Sequence, residues 1–285
     1  MGVVLMAACG LAVLAGAAGV LRWGAVEFRP PWRDDETRPR YPPAVVVRRY
    51  LWYVDLVLLA GLVSGVLVAG AGGRLVMRLL AVTAGDAAQG RLTEADQTVG
   101  AITVGGTLGF VIFVGIFAGL ATSAVFVMVR RYLPTGRLGG LALGLVLLVV
   151  GATRLEPLRA GNPDFGLVGP GWLAVVAFAF VVLLHAMAVA AACGRIGRAL
   201  PVLSRRPDRT WAWYIPLLLL LPGAGVGAVV VALGLVGVGL NRVAPAAGWL
   251  SSATAVKVGR LVIAAAAVVA LPGFVGAVGD IVRSA

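Results

Sequence analysis

Seven long apolar runs, separated by loops whose arginine content alternates high and low, constrain this chain more than any other feature. A helix of about 20 apolar residues crosses a hydrocarbon core of about 30 Å. Lys and Arg collect in the loops on the cytoplasmic side of such helices. The pattern predicts an all-α polytopic transmembrane bundle of about seven spans, N-terminus outside and C-terminus cytoplasmic.

Composition agrees. The chain is 60% hydrophobic and 13% charged, with a mean hydropathy of +0.99, too little polar surface for a soluble fold of this size. The net charge of +12 would suit nucleic acid if the arginines formed one patch. They sit instead in short loops between apolar runs. The expected partners are therefore membrane lipids, anionic on the cytoplasmic face, and no nucleic acid. Lys257 is the only lysine among 24 basic residues, which reads as GC-rich coding and a bacterial cytoplasmic membrane.

The spans read near Val3–Leu21, Val54–Val82, Ala101–Val129, Leu138–Thr153, Trp172–Cys193, Trp213–Leu240 and Val258–Val278. Arg22, Arg29, Arg33, Arg38, Arg40, Arg48 and Arg49 follow the first span. Arg130, Arg131 and Arg137 follow the third, and Arg195, Arg198, Arg205, Arg206 and Arg209 the fifth. Three parts result: an N-terminal anchor over 1–22, a Pro/Arg-rich cytoplasmic loop over 23–49, and a six-span domain over 50–285. The first span lacks a basic stretch before its apolar run, so it reads as a retained anchor rather than a cleaved signal. The loop after it, with Pro30-Pro31, Pro39, Pro42-Pro43 and Asp34-Asp35-Glu36, reads as a stiff lipid-facing linker or as a dock for a partner.

Gly61/Gly65, Gly105/Gly109, Gly115/Gly119 and Gly140/Gly144 each have the spacing that lets helix backbones approach closely in lipid. Pro222-Gly223 and Pro272-Gly273 predict kinks in the last two spans. The second span is too long and carries Gly70, Gly72 and Gly73 near its outer end, so it either projects from the membrane or bends there. The fourth is short and ends in Arg154 and Glu156. Cys9 and Cys193 lie at different depths and read as small core residues, with no disulfide between them.

The outer ends of the second to fifth spans hold the residues best placed for binding. Arg74 and Arg78, four apart, share a helix face, and interfacial arginines are costly enough to demand a partner. Asp86, Arg91, Glu94 and Asp96 lie in the next loop, and Arg154, Glu156, Arg159 and Asp164 in the one between the fourth and fifth spans. One reading is an anion pocket for a lipid headgroup, carboxylate or phosphate, gripped by Arg74, Arg78 and Arg154. In the other, Arg74 and Arg78 pair with Glu94 and Glu156 to lock the rim, and Thr93-Glu94-Ala95-Asp96 caps the third span. His185, the sole histidine, predicts an interhelical hydrogen bond within the fifth span. A bis-histidine haem has no second ligand, and no metal site, cofactor or catalytic triad is expected. Lys257 near the seventh span suggests retinal, but the third span has no carboxylate counter-ion and Lys257 lies near the surface. Asn162-Pro163-Asp164-Phe165 reads as turn chemistry, and Gly169-Pro170-Gly171-Trp172 as a helix start at the interface.

Arg74-Leu75-Val76-Met77-Arg78-Leu79, Gly90-Arg91-Leu92-Thr93-Glu94, Ile102-Thr103-Val104-Gly105-Gly106-Thr107, Asn162-Pro163-Asp164-Phe165 with Gly169-Pro170-Gly171-Trp172-Leu173-Ala174-Val175, and Ala270-Leu271-Pro272-Gly273-Phe274-Val275 resemble a group of uncharacterised multi-pass bacterial membrane proteins. The resemblance covers about the second to seventh spans. It implies a multi-pass membrane fold and carries no activity, substrate or catalytic residue. The expectation is a non-catalytic structural or accessory membrane component, working with a membrane-protein partner or organising lipid. The alternative is a binder or transporter of a small anionic or amphipathic molecule through the outer arginines.

Overall fold

The computed structural model describes residues 1–32, 41–159, 161–204, 209–220 and 252–284, together with residues 232 and 235. The described residues are helical throughout, apart from turns and a single isolated bridge between Leu92 and Thr98. Five helices are long and apolar enough to cross a membrane: α1 (Gly2–Trp23), α2 (Pro43–Thr83), α3 (Val104–Tyr132), α5 (Gly171–Ala199) and α7 (Ala253–Ser284). The shorter α4 (Arg137–Gly151) and the 3-10 helix α6 (Arg209–Leu220) correspond to the fourth span and the start of the sixth. The rest of the sixth, with Pro222-Gly223, lies outside the described residues. So do Arg33 to Arg40 of the first loop, and Arg205 and Arg206.

α2 and α3 cross on glycine. A β-carbon on Gly61 would lie 2.9 Å from the Leu120 backbone, and one on Gly115 2.8 Å from the Gly65 carbonyl oxygen. A β-carbon on Gly70 would come within 2.9 Å of Val111 Cα. Both helices turn π-helical at this crossing, over Gly65–Gly70 in α2 and Phe110–Ile116 in α3. The reason lies in the spacing. Gly61 and Gly65 are four apart, but Gly65 and Gly70 are five apart. In a regular helix of 3.6 residues per turn that fifth residue would carry Gly70 about 140° off the shared face. A π turn absorbs it and keeps all three glycines against α3.

α5 is the hub, packed against α1, α2, α3, α4 and α7. Gly140 and Gly144 of α4 sit against it: added β-carbons would meet Met187 Cα at 2.7 Å and Leu183 Cα at 3.0 Å. Ala60, Phe126, Leu143, Ala186, Val189 and Cys193 fill the space where α2, α3, α4 and α5 converge. Cys9 and Cys193 are both buried and unpaired.

Several expectations change. Gly105 and Gly109 have open space around them, so that pair makes no helix contact. α2 runs unbroken through the glycines near its outer end to Thr83, with Gly70, Gly72 and Gly73 buried in contacts. α7 is likewise continuous through Pro272. α2 begins at Pro43, inside the segment assigned to the loop, with Pro at the first helical position where its missing N–H costs nothing. The described residues of that loop pack on the bundle. Phe28 and Trp32 pack on Trp52, with ring centroids 6.0 and 5.1 Å away. Arg49 stacks over Tyr41 at 4.1 Å and Arg130 over Phe28 at 4.2 Å.

The crossing makes a direct prediction. Gly115→Val and Gly65→Val each force the helix backbones apart, costing on the order of 1–3 kcal/mol, and both lower the thermal aggregation midpoint in detergent. Gly105→Ala and Gly109→Ala leave it unchanged. Equal midpoints for all four variants would refute the glycine crossing.

Candidate functional site

At one end of the bundle the loops 84–103 and 152–170 fold onto each other. Thr93 and Gln97 close a tight turn, in which the Thr93 N–H donates to the Gln97 carbonyl at 2.9 Å. The Thr93 hydroxyl accepts from the Gln97 N–H at 3.1 Å. Asp96 takes a positive φ of 54° in this turn, a conformation that Asp tolerates better than most residues. The Thr93–Asp96 string therefore does not cap the third span. Thr103 does, its hydroxyl accepting from the Gly106 N–H at 3.1 Å.

The second loop supplies the clamp. Asn162 accepts from the Asp164 N–H at 2.8 Å, as its turn chemistry predicts. The Asp164 carboxylate in turn accepts from the Glu94 N–H at 2.8 Å. Arg159 donates to Glu156 at 3.0 Å and also to Glu94. Its guanidinium pKa is pushed above the usual value, first by the hydrogen bond to Glu94 and then by that to Glu156. Glu94 and Glu156 thus serve Arg159, not Arg74 or Arg78. Asp96 and Arg154 are exposed and take no part in these contacts.

Arg74 and Arg78 are left as half-buried cations with neutral partners. Arg74 Nε donates to Thr107 Oγ1 at 3.3 Å, and Arg78 to the Gly100 carbonyl oxygen at 3.0 Å. Among the described residues no carboxylate ion-pairs with either. Arg74 and Arg78 lie four residues apart in one helix and so share a face. Around them stand Gln97, Thr103 and Thr107, and Gly106 leaves room that a side chain would fill: a β-carbon there would lie 3.7 Å from the Arg74 guanidinium and 3.1 Å from Gln97 Oε1.

His185 is buried where α2, α3 and α5 meet. Its ring faces the carbonyls of Ser64 in α2 and Ala118 in α3, the helices that the predicted interhelical bond would join, with neither nitrogen meeting strict hydrogen-bond geometry. Among the described residues no group of His, Cys, Asp and Glu has metal-binding geometry. Sequence reasoning passed over Asp55. It is fully buried in α2, and neither carboxylate oxygen has a hydrogen-bond partner among the described residues. A signal was available: Asp55 is the one carboxylate within the apolar run from Leu51 to Gly73.

Comparison with family models, curated proteins and solved structures found no match to this chain. Its class therefore rests on its own architecture, an all-helical bundle with apolar spans compatible with a membrane.

Exposed ion pairs contribute little to global stability, so Arg159 acts locally. Arg159→Gln is expected to leave the melting of the bundle unchanged while raising amide hydrogen exchange across residues 92–98. Unchanged exchange in that turn would mean that the clamp is idle.

Proposed function

We propose that this chain is a non-catalytic component of the bacterial cytoplasmic membrane, and that it organises lipid by holding an anionic group at the Arg74–Arg78 corner. One observation carries this reading: two neighbouring guanidiniums, half out of water, have no carboxylate among the described residues to neutralise them. Keeping unpaired cations side by side at a membrane interface is costly. A phosphate or carboxylate accepts several charge-assisted hydrogen bonds at once and removes that cost. A lipid headgroup brings such an anion to this depth by its nature, and a small soluble phosphate or carboxylate offers the same chemistry.

About seven spans, an outer N-terminus and a cytoplasmic C-terminus belong to the same reading. In its support, Arg48, Arg49, Arg130, Arg131, Arg195 and Arg198 flank the bundle end away from Arg74, as the positive-inside pattern requires. Those arginines suit an anionic inner leaflet. The resemblance to uncharacterised multi-pass proteins is part of the proposal and adds no activity to it.

Extraction of the wild type and the Arg74→Ala/Arg78→Ala double variant into native-lipid discs tests this reading. The variant is expected to lose at least about tenfold of one anionic lipid or small anion by mass spectrometry, equivalent to about 1.4 kcal/mol, while folding equally well. Identical co-purifying molecules in both would leave the arginines a structural rim. A membrane-protein partner retained by both would then favour the accessory reading.

A further inference from the structure

Three polar side chains from separate parts of the fold converge beside Gly106, in the first turn of α3. A β-carbon placed on Gly106 would lie 2.8 Å from Thr103 Oγ1, 3.1 Å from Gln97 Oε1 and 3.7 Å from Arg74 Nη2. These are its nearest side-chain atoms, so heteroatoms wall the space that the glycine leaves. Gln97 and Thr103 are exposed and Arg74 is half-buried, so the space is reached from outside the bundle.

The hydrogen-bonding capacity of each group is partly used. Arg74 engages Thr107 through Nε at 3.3 Å, and its Nη2 has no partner among the described residues. Gln97 Nε2 donates to the Ala95 carbonyl oxygen at 3.3 Å. Only an N–H can meet that carbonyl, which fixes the amide orientation and leaves Oε1 beside Gly106 as a pure acceptor. Thr103 Oγ1 accepts from the Gly106 N–H at 3.1 Å, and its own hydrogen can still turn to an acceptor.

Donors and an acceptor thus stand side by side, and this narrows what fits. A carboxylate or an ionised phosphate suits the guanidinium but sets its lone pairs against Gln97 Oε1. An ammonium headgroup donates to Gln97 yet brings a further positive charge to Arg74 and Arg78. A hydroxyl donates to the amide oxygen without charge and accepts from Thr103 at the same position.

Resting on the reading that Arg74 and Arg78 hold an anion, we propose that this corner is a phosphoglycerol site. The phosphate lies on the guanidiniums, and a glycerol hydroxyl lies beside Gly106 between Gln97 Oε1 and Thr103 Oγ1. Gly106 makes the room, since any side chain there would crowd Thr103 at 2.8 Å. Phosphatidylglycerol carries this group at the end of a lipid, and glycerol 1-phosphate carries it free.

Native mass spectrometry of the full chain, titrated with phosphatidylglycerol and with phosphatidylethanol, tests this. The two lipids share charge and phosphodiester and differ in the hydroxyls. The wild type is expected to bind phosphatidylglycerol about fivefold more tightly, the contribution of about one net hydrogen bond. Gln97→Leu and Gly106→Ala are each expected to remove that preference while both lipids still bind. Arg74→Ala/Arg78→Ala is expected to lose both lipids. Displacement of phosphatidylglycerol by micromolar glycerol 1-phosphate would assign the phosphoglycerol group to a soluble ligand, and its retention would assign it to the lipid. Arginine-dependent binding without a preference in the wild type would overturn the phosphoglycerol site and leave the anion reading standing. A preference that survives both Gln97→Leu and Gly106→Ala would overturn it equally. Equal binding of both lipids to the wild type and the double arginine variant would overturn the anion reading itself.

Discussion

The glycine crossing of α2 and α3 is the contact on which the rest of the molecule depends. In lipid there is little hydrophobic gain in pressing one apolar helix onto another, so association rests on close van der Waals packing. Gly61, Gly65 and Gly70 meeting Gly115, Gly119 and Val111 provide it. The paired π turns keep those residues in line over about two helical turns. Once α2 and α3 are locked, α5 has one groove to enter, and its small residues Ala186, Ala190 and Ala192 suit it.

The crossing also sets the chemistry at both ends of the bundle. Because α2 and α3 are antiparallel, Arg74 reaches Thr107 near the start of α3, while Tyr53 meets Arg130 near its end. The two ends are solved differently. At the Tyr53 end, arginines are absorbed by aromatic faces. At the Arg74 end, the available carboxylates are drawn to Arg159 by a loop–loop clamp, leaving two guanidiniums with neutral partners. The proposed lipid or anion site follows from that competition, not from any residue considered alone.

Much of the fold was legible in the sequence. The first and third apolar runs became helices over nearly the predicted lengths, and the fifth and seventh became longer ones, because hydropathy alone demands internal hydrogen bonding in a bilayer. Three of the four spaced glycine pairs lie in helix contacts. Gly105/Gly109 failed because spacing says which residues share a face, not whether a neighbour is present. The Thr93–Asp96 cap failed because a hairpin turn used the same hydroxyl and backbone groups first. Asp55 was passed over because one carboxylate hardly lowers the mean hydropathy of a long run.

By itself the sequence determined an all-helical, apolar-span architecture and the division of its arginines between loops, since both follow from the cost of polar groups in hydrocarbon. Tertiary structure decided which charges meet. Glu94 lies 65 positions from Arg159 yet pairs with it, while Arg74 and Arg78, closer to Glu94 in sequence, do not. Pairing depends on where the loops fold back, and loop return is set by helix packing. The same holds for Asp55, which is fully enclosed only once other elements pack on α2.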